Sequence, residues 1–262
     1  MKDVQFNSIF ANSINHFLRL RTAVLKERTI AVNRRQLKSF DDYMSANDIR
    51  SITKEVVDGW LATLCGSDST IVHAVCTIRI YIEYLIASGV KAYIPDVPKQ
   101  HNSYIPYIFS ENETARIIEI ADSYHSKWNN SVPYMKAMLP VVIRIALCCG
   151  LRISEAVCLK RKNFNPDNGI LTIENAKNDN QRIVPMHESL TDILVKYCLA
   201  VGIPNSPDAW LFPGSDDSIH VESMKIYFRF ATILEKAGIT VSKEKFERGP
   251  CFHCLRHTFV LR

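Results

Sequence analysis

The sequence lacks two features that would place it in or across a membrane. Its most apolar stretch, residues 137–150, contains Pro140 and Arg144 and is shorter than the about 20 residues that a membrane-spanning helix needs. The residues after Met1 (Lys-Asp-Val-Gln-Phe) do not lead into the apolar core of a secretion signal. We therefore expect no membrane partner, a cytoplasmic location and a buried helix at residues 137–150.

Internal repeats, low-complexity tracts and a complete set of zinc ligands are also missing. Cys251-x-x-Cys254 has zinc-ligand spacing, and His253 and His257 lie four residues apart, but no second ligand pair accompanies them. Most of the eight cysteines lie in apolar runs, where a thiol packs as a small hydrophobic group. We expect reduced cysteines that serve packing, no metal and no cofactor. A zinc-binding interaction module remains an alternative.

The composition is that of a folded, moderately basic protein. The 262 residues are 47% hydrophobic and 23% charged, with a net charge of +5, so the chain can form one large or two ordinary domains. The positive charge is locally concentrated: residues 19–38 hold seven Lys or Arg and one acid, Glu27. A basic balance is compatible with nucleic acid as a partner but does not establish it.

Apolar spacing predicts a helical N-terminal part. Residues 14–23 form one amphipathic stretch, and a second helix follows Thr29, which we interpret as its N-cap. Further helices are predicted at residues 54–64 and 69–88. Three prolines in residues 91–107 then indicate a linker.

A second, mostly helical part follows the linker. Ser110 and Glu113 form a capping-box pattern before an apolar run. Alternating residues around a polar turn predict a β-hairpin with Lys177 in or beside that turn. Helices return near residues 188–200, 221–237 and from 253 onward. The predicted fold is mainly α with a small antiparallel sheet, in domains 1–94 and 108–262 joined by residues 95–107.

Two arginines interrupt segments that should be buried. Arg152 follows the apolar helix at a break, and Arg256 lies in the terminal helix. A buried guanidinium needs an anion or a carboxylate, so each forms either a structural salt bridge, for Arg152 with Glu155, or part of an anion site. Lys177 alone is typical of a solvated turn lysine.

Three segments carry these residues in a fixed order: "GLRISEA" (150–156), "AKNDNQRIVP" (176–185) and "HCLRHTF" (253–259). Together they resemble the tyrosine recombinase (phage integrase) family. The segments "TIAVNRRQLKSFDDYM" and "STIVHAVCTIRIYIEYLIASG" resemble that family's N-terminal core-binding domain, whereas "YIFSENETARII" and "WLFP" resemble its catalytic domain. The resemblance covers nearly the whole chain and departs at Cys254, where the family usually has an acidic or polar residue.

The resemblance implies a metal-free recombinase that cleaves and rejoins DNA through a 3′-phosphotyrosyl bond. Arg152 and Arg256 would hold the scissile phosphate, His253 would donate to it or assist proton transfer, and Lys177 would protonate the leaving 5′-oxygen. Glu155 would orient the arginines, and His257 is expected to be mainly structural.

The implied partners are duplex DNA and other recombinase protomers, in a tetrameric synapse for the complete enzyme. The expected location is the nucleoid of a prokaryotic-type cytoplasm. Candidate DNA contacts in the N-terminal domain are Arg34, Arg35, Lys38 and Arg79, although each also fits a solvated basic face.

The strand-cleaving tyrosine of this family follows the terminal histidine–arginine motif, and no tyrosine follows Arg256 in this sequence. We therefore expect a catalytic domain that is incomplete at its C-terminal side, and a chain that binds DNA without cleaving it. A non-enzymatic DNA-binding regulator on the same fold is the alternative.

Overall fold

The computed structural model describes residues 5–100, 105–124, 134–174, 181–240 and 249–261. The chain divides into two units, Met1–Ser103 and Tyr104–Arg262, each with its own hydrophobic core. A cluster of buried apolar side chains holds each unit together, and the functional residues are placed by these two cores separately.

The first unit consists of α1 (Ala11–Thr22), α2 (Glu27–Ala46), α3 (Lys54–Thr63) and α4 (Asp68–Ala87). Its largest fully buried side chains include Trp60, Tyr81 and Phe40, and the Phe40 and Trp60 rings meet edge to face with centroids 5.1 Å apart. The four predicted helical stretches of this unit are therefore confirmed as α1 to α4.

The predicted start of α2 is wrong. The helix begins at Glu27 with the extended Lys26 as its N-cap residue, and the Thr29 N–H already bonds the Lys26 carbonyl at 2.9 Å. Glu27 places a carboxylate at the positive end of the helix dipole, which favours this earlier start over a hydroxyl cap at Thr29.

Helix α4 is the one described helix with the length and apolar character of a membrane span, with a mean hydropathy of 1.4 over its most apolar window. Inside the first unit it packs on α1 and α2, and Ile78, Tyr81 and Ile82 are fully buried there. The central helix of a folded domain has this same composition, so the hydropathy of α4 alone is not evidence that it contacts a membrane.

The second unit is built around α6. Its elements are α5 (Glu111–Asp122), α6 (Met135–Cys149), α7 (Ile153–Val157), β1 (Phe164–Asn165), β2 (Ile170–Ile173), β3 (Arg182–Pro185), α8 (Glu188–Val201), α9 (Ser223–Lys236) and α10 (Phe252–Leu261). Helix α6 packs against α5, α7, α8 and α10. Most of its side chains are buried, which confirms the buried helix expected at residues 137–150.

Local sequence signals account for several boundaries in this unit. The Ser110 hydroxyl accepts the Glu113 N–H at 3.2 Å, and Glu113 in turn accepts the Ser110 N–H at 2.8 Å, so the predicted capping box starts α5. Strands β2 and β3 pair antiparallel, with Leu171 opposite Val184. Strand β1 was not predicted because two residues are too few to show a periodic pattern.

The mainly helical fold with a small antiparallel sheet, ordered β1-β2-β3, is confirmed. Lys177 lies between β2 and β3, in residues 175–180, which are outside the described part of the chain. Its predicted position in or beside the turn of the hairpin therefore stays a prediction.

Candidate active site

A glycine turn positions Arg152 after α6. Gly150 ends the helix with a φ of +61°, and a Cβ at this position would lie 2.3 Å from Cδ1 of Phe259 on α10. Only glycine therefore fits both the left-handed backbone and the approach of α10. The extended Arg152 follows as the N-cap residue of α7, and its side chain is partly exposed.

A buried carboxylate lies at the centre of the site. Glu155, whose side chain is 2% exposed, accepts the Arg152 backbone N–H at 2.9 Å and the Arg152 Nη1 at 2.7 Å. Arg182 on β3 donates to both of its oxygens, with distances of 3.1 and 2.6 Å. The Nη1 of Arg256 lies 3.9 Å from Oε2 of the same carboxylate.

These contacts keep Glu155 ionised. Burial raises the pKa of Glu155, but the hydrogen bonds from Arg182 and Arg152 outweigh that effect and hold the pKa at about 2, against an ordinary 4.5. A carboxylate that stays charged can fix the arginines at every physiological pH.

Helix α10 supplies the remaining cations. Arg256 also donates a hydrogen bond to the Gly150 carbonyl, which ties α10 to the turn before Arg152. Burial lowers the pKa of Arg256, as does the nearby charge of Arg152. The half-buried His253 meets the His257 ring edge to face at 4.7 Å. Burial, and then the charges of His257, Arg256 and Arg152, lower the pKa of His253 and favour the neutral imidazole.

The arrangement has an excess of positive charge. Three guanidinium groups surround one carboxylate, and the side chains of Arg152, Arg182 and Arg256 are 38%, 33% and 28% exposed. One negative charge leaves about two positive charges uncompensated, beside a histidine that can donate or accept a proton. Donors of this kind, partly desolvated and already oriented, are suited to a phosphate.

Most of the predicted site residues of the second unit meet at this cluster. Arg152, Glu155, His253 and Arg256 come together from α7 and α10, with His257 beside His253. The Arg152–Glu155 salt bridge that we considered as the purely structural alternative is also present. Lys177 is outside the described residues.

Sequence reasoning missed Arg182. This residue lies within the segment that carries Lys177, and its position at the start of β3 in the "RIVP" run was the available signal. The packing role predicted for the two terminal cysteines fits Cys254, which is buried, but not Cys251, which is exposed. Among the residues that the structure describes, no group of three or more His, Cys, Asp or Glu side chains could hold a metal ion.

The four candidate DNA contacts of the first unit have different surroundings. Arg35 is exposed, whereas Lys38 forms an ion pair with Asp42 on the same helix. Arg79 donates to the Pro95 carbonyl at 2.7 Å and faces Glu83 at 3.3 Å. Arg34 is half-buried, and its Nε is buried without a hydrogen-bond partner.

Curated proteins with similar sequences are recombinases. The chain is 25% identical to the tyrosine recombinase XerD of Rhizobium meliloti, over 82% of this chain and 66% of that protein. It is 24% identical to the putative integrase/recombinase y4rB of Sinorhizobium fredii, over 97% of this chain and 81% of that protein. The chain thus spans just under two thirds of the length of the first of these relatives.

Solved structures show the same fold. The XerH site-specific recombinase bound to its difH substrate superposes with a TM-score of 0.69 at 20% identity, over 88% of this chain and 67% of that chain. A lambda integrase dimer on a core site gives a TM-score of 0.71 at 16% identity, over 95% of this chain and 88% of that chain. The profile of the phage integrase family matches residues 108–262. This range includes the cationic cluster, that is, Arg152, Glu155, Arg182 and Arg256. The chain belongs to the phage integrase family.

Proposed function

We propose that this protein is a tyrosine-type site-specific recombinase and that the cluster of Arg152, Arg182, Arg256 and Glu155 is its phosphate-binding site. The observation that carries the proposal is the arrangement of three guanidinium groups around one buried carboxylate, Glu155. By their resemblance to the family motifs, Arg152 and Arg256 would contact the scissile phosphate. The recombinase names of its sequence relatives support the same activity.

The chemistry requires negative charge to be stabilised on a five-coordinate phosphorus. A tyrosine hydroxyl attacks the scissile phosphodiester, a 3′-phosphotyrosyl bond forms, and a 5′-hydroxyl leaves; a second 5′-hydroxyl then reverses the step. Because the covalent intermediate retains the bond energy, the cycle needs no nucleotide. Fixed guanidinium groups stabilise the developing oxyanions without having to reorganise.

Each residue has a distinct proposed role. Arg152 and Arg256 bind the non-bridging oxygens, and Glu155 holds both in place. His253 donates to the same oxygens or passes a proton, which its lowered pKa allows at neutral pH. Lys177 protonates the leaving 5′-oxygen, and Arg182 is a positioning residue that acts through Glu155.

The proposed partners are duplex DNA and further copies of a recombinase. Solved recombinase structures with this fold include complexes with DNA, among them a lambda integrase tetramer on a Holliday junction. In the first unit, the exposed Arg35 and the half-buried Arg34 are the strongest candidates for phosphate contacts, while Lys38 and Arg79 would first have to leave their acidic neighbours. The site of action is then the nucleoid in the cytoplasm.

Duplex DNA binding should depend steeply on salt. If about four phosphates are neutralised, the affinity should fall by about 100-fold between about 50 and about 200 mM monovalent salt, because bound cations are released from DNA. Fluorescence anisotropy of a labelled duplex measures this directly. A flat response to salt contradicts the proposal that cationic faces bind the backbone.

The 262-residue chain alone should form no covalent adduct with a nicked suicide substrate. Its last tyrosine, Tyr227, is half-buried and packs edge to face on Phe252, with centroids 5.9 Å apart, so it is not available as a nucleophile. Denaturing electrophoresis after incubation tests this. An adduct that maps to any of the ten tyrosines overturns the assignment of these residues as non-nucleophilic.

The Arg152–Glu155 salt bridge also fits a purely structural role, which leaves a second candidate, a DNA-binding regulator without cleavage activity. Such a regulator binds duplex DNA with no need for Arg152 or Arg256. The two functions are therefore separated by the arginine substitutions argued in the Discussion.

A further inference from the structure

Two thiols lie side by side at the start of α10, next to the cationic cluster but outside it. The Sγ atoms of Cys251 and Cys254 are 3.6 Å apart, and the Cys251 N–H is 3.4 Å from the Cys254 sulfur. Cys251 is the exposed residue just before the helix, whereas Cys254 is fully buried in its first turn. Two sulfurs in van der Waals contact need to approach by only about 1.5 Å to reach the bond length of a disulfide.

We propose that Cys251 and Cys254 form a thiol–disulfide redox site that reacts with small-molecule disulfides, with Cys251 as the attacking thiol and Cys254 as the resolving thiol. The unequal exposure of the two sulfurs assigns these roles. A dissolved disulfide can reach Cys251, and the buried Cys254 can then reach only its neighbour.

The environment of Cys251 favours the thiolate. Its sulfur shares a hydrogen-bond contact with the Cys254 thiol at 3.6 Å, and the residue lies at the positive end of the α10 dipole. These contacts, with the charge of His257, lower the pKa of Cys251 to about 6 from an ordinary 9.0. The hydrogen bond that Cys254 donates, together with its burial, raises the pKa of Cys254.

The reaction consists of two exchange steps that balance. The Cys251 thiolate attacks one sulfur of a disulfide RSSR, forming a mixed disulfide and releasing one thiolate RS⁻, which takes up a proton. Cys254 gives its proton to solvent or to a released thiolate, and its sulfur attacks Sγ of Cys251, releasing the second RS⁻. Overall, two protein thiols are oxidised to one disulfide, and RSSR is reduced to two RSH.

The position of the pair links its redox state to the proposed phosphate site. Cys251 and Cys254 lie on either side of His253, and Arg256 lies two residues after Cys254. A disulfide between them covalently closes the first turn of α10, the turn that carries His253. The redox site itself, however, does not depend on recombinase activity.

The test uses the full 262-residue chain with oxidised glutathione as the probe. After blocking of the remaining thiols and digestion, the peptide that holds both residues should lack two hydrogen atoms in the wild type, as expected for an internal disulfide. In Cys254→Ser the same treatment should leave glutathione attached at Cys251. In Cys251→Ser, Cys254 should stay a thiol because it is buried.

A rate measurement provides an independent check. At neutral pH, iodoacetamide should alkylate Cys251 about 10-fold faster than the exposed Cys65, because a thiolate and not a thiol is the nucleophile. Cys254→Ala serves as a second variant should serine in the core disturb folding. The proposal is wrong if the wild type accumulates a stable mixed disulfide at Cys251, if Cys254 reacts in Cys251→Ser, or if neither thiol is oxidised.

Discussion

The Glu155→Ala substitution is expected to lower the free energy of unfolding of the second unit by about 3 kcal/mol, because it leaves guanidinium groups close together with no carboxylate between them. The Glu155 side chain is 2% exposed and makes hydrogen bonds to Arg152 and Arg182. The three arginines remain partly hydrated, which places the loss at the lower end of the range for broken buried ion pairs.

The same contribution should appear as a dependence of stability on pH. The pKa of Glu155 is about 2 in the folded chain against an ordinary 4.5, so ionisation of this group favours the folded state. The stabilisation is complete above pH 4.5 and is lost as the pH falls toward 2, and a difference of this size corresponds to about 3 kcal/mol. The Glu155→Gln variant, which has no charge to lose, should show a flatter profile over this range.

Urea unfolding is monitored through the hydrogen exchange of peptides from α6, so the measurement reports on the second unit specifically. Glu222→Gln is the matched control, since Glu222 belongs to the same unit and pairs with Lys225 at 3.7 Å but is 67% exposed. Its loss should stay within about 0.5 kcal/mol. Equal effects at Glu155 and Glu222 would show that the buried carboxylate does not organise the cluster.

The parts of this structure that sequence predicts are those fixed by local periodicity and local hydrogen bonds. The start of α5 follows from Ser110 and Glu113, three residues apart, and the α6 boundary follows from an apolar run that ends at Gly150. The Arg152–Glu155 bridge is of the same kind, because both residues belong to one helical turn. The Ser110–Glu113 and Arg152–Glu155 contacts each span only four residues, and the apolar run is continuous in sequence, so no tertiary information is needed.

The contacts that sequence does not predict join distant parts of the chain. Arg182 meets Glu155 across 27 residues, and Arg256 meets the Gly150 carbonyl across 106 residues. The motif order placed Arg256 near Arg152 only through family resemblance, which says nothing of Arg182. The exposure of Cys251 was missed for a related reason: its place just before α10 is set by how that helix docks on α6.

Arg152→Ala and Arg256→Ala should each weaken duplex DNA binding by about 10-fold at low salt, because each removes a charge-assisted contact to a phosphate. Each should also reduce the slope of log affinity against log salt by about 1. The Glu155 carboxylate remains in both variants and loses one of its cationic neighbours, so hydrogen exchange of α6 should accompany the binding assay to show that the unit is still folded.

Arg144→Ala is the matched control for these two variants. It removes the same type of side chain and the same charge from the same unit. Arg144 lies outside the cluster and forms a bidentate salt bridge, in which its Nη1 and Nη2 each donate to one carboxylate oxygen of Asp122 at 2.7 Å. If net charge alone governs binding, all three substitutions have the same effect. If the cluster binds phosphate, only Arg152→Ala and Arg256→Ala reach 10-fold, which is about 1.4 kcal/mol. Unchanged binding in both cluster variants would instead favour the regulator without cleavage activity, since only strand cleavage requires these two guanidinium groups at a single phosphate.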